Sequence, residues 1–302
     1  MTRIAIAVGD PNGIGPEIAV KAARAAPAGI EPVLVGDAHV LMHYGAGGLD
    51  VHPVDALPLE AFVPGTCDPR AGRATVEYIR ESVKLVQSGE VAAIVACPQS
   101  EAAINGAGIK FSGYAGLLAE ITGTPEDKVF LMLCAAGLRI AHVTLHESTA
   151  SALRRISVER VVNAGLAAVQ ATQRLGIASP RLALFGINPH AGEDGLFGDD
   201  DERITKPAAA ELRRLGIACD GPFGADLVLS QRKHDVYLAM FHDQGHIPVK
   251  LLSPLRSSAL SIGTPVLFSS VGHGCAYDIA GKGVADATSV SETLALLGAA
   301  VR

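Results

Sequence analysis

Ten histidines are the first chemically capable group in this sequence. Three stand where a ligand is expected: His146 closes an expected strand over 138–145, His190 lies in Gly186-Ile-Asn-Pro-His-Ala-Gly-Glu193, and His242 follows an expected strand over 237–241 in His-Asp-Gln-Gly. Ends of strands in α/β sheets are where ligands bind. Three neutral imidazoles with open positions would make a catalytic site for zinc or a similar borderline divalent metal. The spacings, 44 (146 to 190) and 52 (190 to 242), are no metal signature, and lone loop or capping histidines would look the same. His142, His234 and His246 compete as ligands on pattern alone, whereas His39, His43 and His52 read as surface residues.

Two glycine-rich segments are the next candidates. Gly9-Asp10-Pro11-Asn12-Gly13-Ile14-Gly15-Pro16-Glu17 is a dense strand-to-helix turn in which backbone N–H groups can approach a phosphate; it also reads as a plain tight turn. Gly272-His273-Gly274-Cys275-Ala276-Tyr277-Asp278-Ile279-Ala280-Gly281-Lys282-Gly283 can wrap an adenosine, with Asp278 accepting both ribose hydroxyls. Such a carboxylate disfavours a 2′-phosphate, so NAD is favoured over NADP.

These groups must be held by an α/β scaffold. Ile4-Ala5-Ile6-Ala7-Val8 and Val33-Leu34-Val35-Gly36 read as strands, with a helix opening at Pro16 between them. Val76, Ile79, Val83 and Val86 recur at helical spacing and predict a helix over 70–88, followed by a strand over 91–96. Strands over 129–133 and 138–145 form an expected antiparallel hairpin. Further helices are expected over 157–174, 204–215 and 290–299, with strands over 182–185, 237–241 and 247–252. Residues 44–69 read as an irregular connection. The result is an α/β fold with a mixed sheet.

Composition limits the function. The 302 residues are 49% hydrophobic and 19% charged, which suits one or two folded cores. The net charge is −6 and no Lys/Arg run exceeds two, so no nucleic-acid partner is expected. No signal peptide or membrane span is expected, and the five scattered cysteines suit reduced thiols in the cytoplasm.

HGCAYDIAGKG is similar to the adenine-binding segment HGSAPDIAGKG of the isocitrate and isopropylmalate dehydrogenases. GDPNGIGPE, INPHAGE, GPFGAD and HDQG, in this order, resemble the PdxA family over essentially the whole chain. The resemblance implies a two-lobed isocitrate/isopropylmalate dehydrogenase-like fold with a cleft between lobes. Residues 1–120 with 245–302 would form the cofactor side, and 121–244 the metal and dimerisation lobe. It also implies NAD as cofactor, a homodimer, and a divalent metal, zinc foremost, held by His146, His190 and His242 at or near the subunit interface. Gly13, Gly15, His273, Gly274, Asp278 and Ile279 would bind the cofactor. Lys250 would hold a substrate carboxylate, with Arg232 and Arg256 assisting, and Asp226 and Asp243 would move a proton or orient an imidazole.

The departures from the family pattern concern the substrate. Members acting on a phosphorylated hydroxythreonine carry a His-Thr pair where Tyr114-Ala115 stands, Asn and Arg where Ala259 and Phe268 stand, and a Lys where Glu101 stands. Fewer cationic partners, with Tyr114 at the substrate, imply a flatter and less phosphate-like molecule. FSGYAGLLA, VFLML, HVTLHES, QRKHD and HDQGHIPVKLL resemble a branch of the family from aromatic catabolism, which oxidises and decarboxylates a terephthalate cis-dihydrodiol to protocatechuate. Two alternatives stand beside it: a dehydrogenase for 4-hydroxythreonine 4-phosphate or a related phosphorylated four-carbon hydroxy acid, and a three-histidine metal hydrolase.

Overall fold

The computed structural model describes residues 1–254 and 256–301. In chain order the elements are β1 (Thr2–Ala7), α1 (Gly15–Arg24), β2 (Ile30–Gly36), α2 (Ala38–His43), β3 (Asp50–Pro53), α3 (Pro69–Gln87), β4 (Ala93–Ala96), α4 (Glu101–Gly106) and α5 (Tyr114–Thr122). There follow β5 (Phe130–Ala135), β6 (Leu138–His142), α6 (Thr149–Arg155), α7 (Val158–Arg174), β7 (Leu182–Phe185), α8 (Lys206–Arg214), β8 (Cys219–Phe223) and α9 (Ala225–Gln231). The chain ends with β9 (Val236–Ala239), α10 (His242–Leu252), β10 (Ser258–Ile262), β11 (Phe268–Val271) and α11 (Thr288–Ala300).

The chain divides into two compact units, residues 1–122 with 265–302, and residues 123–264. Residues 245–264 thus pack with the second unit, not with the cofactor side where the sequence reading put them. The reason is local: α10 lies on β5, β6 and β9, and β10 pairs antiparallel with β5.

In the first unit the strands run parallel in the order β3-β2-β1-β4-β11. Strand order reverses between β1 and β4, and the loops leaving their C-terminal ends are joined there, Asp10 N–H donating to Pro98 O at 2.9 Å. The helices begin where the sequence supplies caps. Asp68 accepts the Arg70 N–H before Pro69 opens α3, and Pro16 and Glu17 suit the first turn of α1. The stretch over 44–69 is not wholly irregular, because Asp50–Pro53 adds an edge strand beside β2.

The second unit has a mixed sheet, β10-β5-β6-β9-β7-β8, with β10, β5 and β6 antiparallel and the rest parallel. The β5–β6 hairpin turns at Ala136 and Gly137, both at positive φ (49° and 79°), as a tight hairpin requires. Leu133, Ile140, Phe185, Tyr237 and Val249 form a core between the sheet and α10. Alternate strand residues point the other way. There Gly165 of α7 would place a Cβ only 2.9 Å from Leu212 and 3.4 Å from Leu182, so a glycine lets the helix approach.

One element differs from expectation in a way that matters for the site. Residues 247–252 continue the helix begun at His242 and are not a strand, which puts Lys250 on α10. Gln244 explains the helix: its Oε1 accepts the N–H groups of Met240 and Phe241, at 2.9 and 3.1 Å, and fastens the first turn. Pro248 falls inside the helix, and the short apolar run around it carried no decisive period.

Candidate active site

In the second unit His146, His190 and His242 follow three neighbouring parallel strands, β6, β7 and β9. The ends of β6 and β9 are tied together: Val143 N–H donates to Ala239 O at 2.9 Å, and the Thr144 hydroxyl donates to Met240 O at 2.6 Å. This brings the His146 and His242 rings to 5.4 Å between centroids. His146 lies four residues beyond the end of β6 instead of closing the strand.

His242 donates from Nδ1 to the Asp243 carboxylate at 2.8 Å. That bond engages Nδ1 and leaves Nε2 as the ring nitrogen open to another partner. His190 is exposed, at φ 54°, beside Phe197 (centroids 5.9 Å) and Glu193 (3.6 Å). Its loop is not drawn onto the other two histidines by any described contact. Among the described residues no group of three or more His, Cys, Asp or Glu is arranged to hold a metal ion. One chain therefore brings two of the three histidines together and leaves His190 on an exposed loop.

Two further histidines join the pair, and sequence reasoning left them only as competitors. His246 stacks on His242 with centroids 3.7 Å apart and planes at 12°. The buried His142 donates from Nδ1 to Leu131 O at 3.3 Å, so its Nε2 must accept from His246 Nδ1, at 3.1 Å. Both rings are neutral: burial, with neighbouring imidazoles adding to it, lowers His142 to about 3 and His246 to about 4. The i,i+4 spacing of His242 and His246 is the signal that could have found this stack.

Lys250 sits two turns beyond His242, about 12 Å along the helix. Its Nζ donates to Ser257 Oγ at 3.2 Å, and burial lowers its pKa. Asp226 is exposed in the first turn of α9, close to its own Gly224. Arg232 lies at φ 47°, and Arg256 is exposed. Ala259 is on β10, paired with Leu133.

In the first unit the Gly9–Glu17 turn and the 272–283 segment meet. Gly13 is needed because a Cβ there would stand 2.9 Å from Cys275 Cβ, and Gly15 because a Cβ would stand 2.1 Å from Val8 O. The amides of Asn12, Gly13 and Ile14 already donate, to Asp10 Oδ1 (2.9 Å), Asp10 O (3.0 Å) and Cys275 O (2.9 Å). These glycines permit close packing of chain on chain, and the turn holds the neighbouring segment. Gly274 faces open space, with nothing within 4 Å of a Cβ, and Asp278 is exposed. Ile279 is half-buried, and His273 Nδ1 lies 3.3 Å from Gly274 O. Tyr114 is buried; its hydroxyl donates to Cys97 O at 3.2 Å and its ring lies 5.0 Å from that of Phe268. It supports the end of β4, and its hydroxyl is already engaged. Glu101 opens α4, whose cap is Ser100.

The family model of pyridoxal phosphate biosynthetic protein PdxA matches residues 10–297. The chain belongs to the PdxA family. It is 53% identical to a 1,2-dihydroxy-3,5-cyclohexadiene-1,4-dicarboxylate dehydrogenase of Comamonas sp., over 98% of this chain and 97% of that protein. A crystal structure of a terephthalate 1,2-cis-dihydrodiol dehydrogenase from Burkholderia xenovorans LB400 is similar at 49% identity and TM-score 0.78, covering 99% of this chain and 98% of that one. A 4-hydroxythreonine-4-phosphate dehydrogenase from Klebsiella pneumoniae is similar at 33% identity and TM-score 0.90, with all of both chains covered. No described helix is long and apolar enough to cross a membrane.

Proposed function

We propose that this PdxA-family chain is an NAD-dependent, decarboxylating dehydrogenase of a cis-dihydrodiol dicarboxylate, 1,2-dihydroxy-3,5-cyclohexadiene-1,4-dicarboxylate. The observation that carries the proposal is the 53% identity, over nearly the whole of both chains, to a dehydrogenase of that name. The departures at Tyr114, Ala115, Ala259 and Phe268 agree with it, since they replace the polar groups of the phosphothreonine branch.

The overall reaction removes hydride from the secondary carbinol and its hydroxyl proton, giving a β-keto acid. The C–C bond to the neighbouring carboxylate then breaks, and the electron pair enters the ring. Tautomerisation yields protocatechuate, so one diol dianion and one NAD give protocatechuate, CO2 and NADH. NAD accepts the hydride. A divalent metal, zinc foremost, would polarise the carbinol and ketone oxygens when bound.

The chain's own residues supply the rest. His146 and His242 present imidazoles for the metal, Asp243 holds His242 in the donor tautomer, and His190 completes the set from its exposed loop. The apolar residues beside these histidines, Leu196, Phe197, Ile247 and Leu251, are 72, 47, 53 and 78% exposed. Such a surface suits burial against a second copy, which supports a homodimer with the metal at or near its interface. Lys250, two turns along the same helix, is offset to take the distal carboxylate, and Asp226 is the candidate proton carrier. Gly274, Asp278, Ile279 and His273 hold NAD, while Gly13 and Gly15 let the first turn close on that segment. The HGCAYDIAGKG run supports an isocitrate/isopropylmalate dehydrogenase-like fold.

The test is NADH release, measured side by side with the terephthalate-derived diol and with 4-hydroxythreonine 4-phosphate. The proposal expects turnover of the diol alone. Preferential turnover of the phosphorylated substrate would overturn it.

A further inference from the structure

The 272–283 segment lies between β11 and α11 and has no helix or strand of its own. Within it, Ile279 N–H donates to Ala276 O at 3.1 Å, and Lys282 N–H to Ile279 O at 3.2 Å. Most of its fastening comes from the first turn and α1. Ile14 N–H donates to Cys275 O at 2.9 Å. The Tyr277 hydroxyl donates to Asp10 Oδ2 at 2.7 Å. The N–H groups of Gly283 and Ala285 donate to the Glu17 carboxylate at 3.2 and 2.9 Å.

Asp10 is fully buried and Glu17 nearly so. A buried carboxylate needs hydrogen-bond partners: Tyr277 supplies one to Asp10 beside the Asn12 N–H, and Gly283 and Ala285 supply two to Glu17 beside the Lys21 ammonium at 2.7 Å. Tyr277 stands where the similar segment of the isocitrate and isopropylmalate dehydrogenases carries Pro, which has no hydroxyl to offer.

We infer that the Gly9–Glu17 turn is a dock for the cofactor segment, and that Tyr277 is a positioning residue for NAD acting through its bond to Asp10. The inference rests on the reading that Asp278 and its neighbours hold NAD. Tyr277 immediately precedes Asp278, so fixing its ring fixes the chain from which the Asp278 carboxylate projects. In a segment with no helix or strand of its own, loss of the clamp leaves NAD to order it, which weakens binding.

The experiment is NAD titration by calorimetry of the full-length, zinc-loaded protein: wild type, Tyr277→Phe, Asp10→Asn and the double variant. Tyr277→Phe should raise the Kd for NAD about tenfold, the order expected for one hydrogen bond to a carboxylate. It should raise KM for NAD in step, with kcat at saturating NAD and KM for the diol little changed. The double variant should bind no more weakly than the weaker single one, because Tyr277→Phe removes and Asp10→Asn weakens the same charge-assisted bond. Unchanged NAD affinity in Tyr277→Phe, or losses that add, would overturn the clamp. Failure of the wild type to bind NAD would overturn the cofactor reading beneath it. Tyr277 is only half-buried, so Tyr277→Phe decides the matter alone if the buried Asp10→Asn chain does not fold.

Discussion

Gly245 is the point at which one methyl group should disturb the histidine cluster most. It lies in the second turn of α10, and a Cβ added there would stand 2.2 Å from His142 Nε2 and 2.9 Å from its Cδ2 and Cε1. His142 is fully buried and held at both ring nitrogens, by Leu131 O and His246. It must retreat by about 1 Å or more to reach ordinary contact. Overpacking costs about 1–3 kcal/mol. Losing one buried hydrogen bond costs about 1–3 kcal/mol more. The better helix propensity of Ala returns about 1 kcal/mol. Gly245→Ala should therefore destabilise the protein by about 1–5 kcal/mol, read as a lower urea midpoint. It should also weaken divalent-metal binding about tenfold, because the His246 ring stacked on His242 loses its support. Gly116, in α5 with nothing within 4 Å of its Cβ position, is the control. Gly116→Ala should stabilise by about 0.5–1 kcal/mol. A Gly245→Ala chain more stable than wild type would refute the packing described for His142.

Three further outcomes are expected. His146→Ala, His190→Ala and His242→Ala should each lower both bound metal and NADH formation, measured by metal analysis and absorbance; full activity after chelation would contradict the metal role. Asp278→Ala should raise KM for NAD far more than KM for the diol, and equal effects would argue against a ribose contact. Stability should fall as pH drops below about 6.5 toward 4, because His142 stays neutral when folded, at about 3, and takes up a proton when unfolded. The loss reaches about 1.4 kcal/mol per pH unit for that group. Urea midpoints that stay flat across this window would count against a buried neutral ring.

Much of the scaffold was legible because its signals are local. Pro16 and Glu17 mark the start of α1, the recurrence of Val76, Ile79 and Val83 marks α3, and Leu182–Phe185 stands as a buried strand between polar ends. The short strands Cys219–Phe223, Ser258–Ile262 and Phe268–Val271 carry only one or two strong β-formers each among Gly, Pro, Ser and Ala, and pairing in the sheet makes them strands. Residues 247–252 misled because a six-residue apolar run with a proline suits a strand as well as a buried helix; Gln244 decides between them from outside the run.

At the site, sequence supplied the strand-end histidines but not their contacts. His146 and His242 meet because Thr144 bonds to Met240 O across 96 residues. The buried side of the cluster, from His142 through His246, depends on Gly245 having no side chain. No spacing rule reveals that Asp10 and Tyr277 would touch across 267 residues.

The most direct measurement incubates the zinc-loaded protein with NAD and 1,2-dihydroxy-3,5-cyclohexadiene-1,4-dicarboxylate and quantifies protocatechuate, CO2 and NADH together. All three are expected in equal amounts, and none after chelation. NADH without protocatechuate, or no turnover of the diol by protein that oxidises a phosphorylated hydroxy acid, would contradict the proposed reaction.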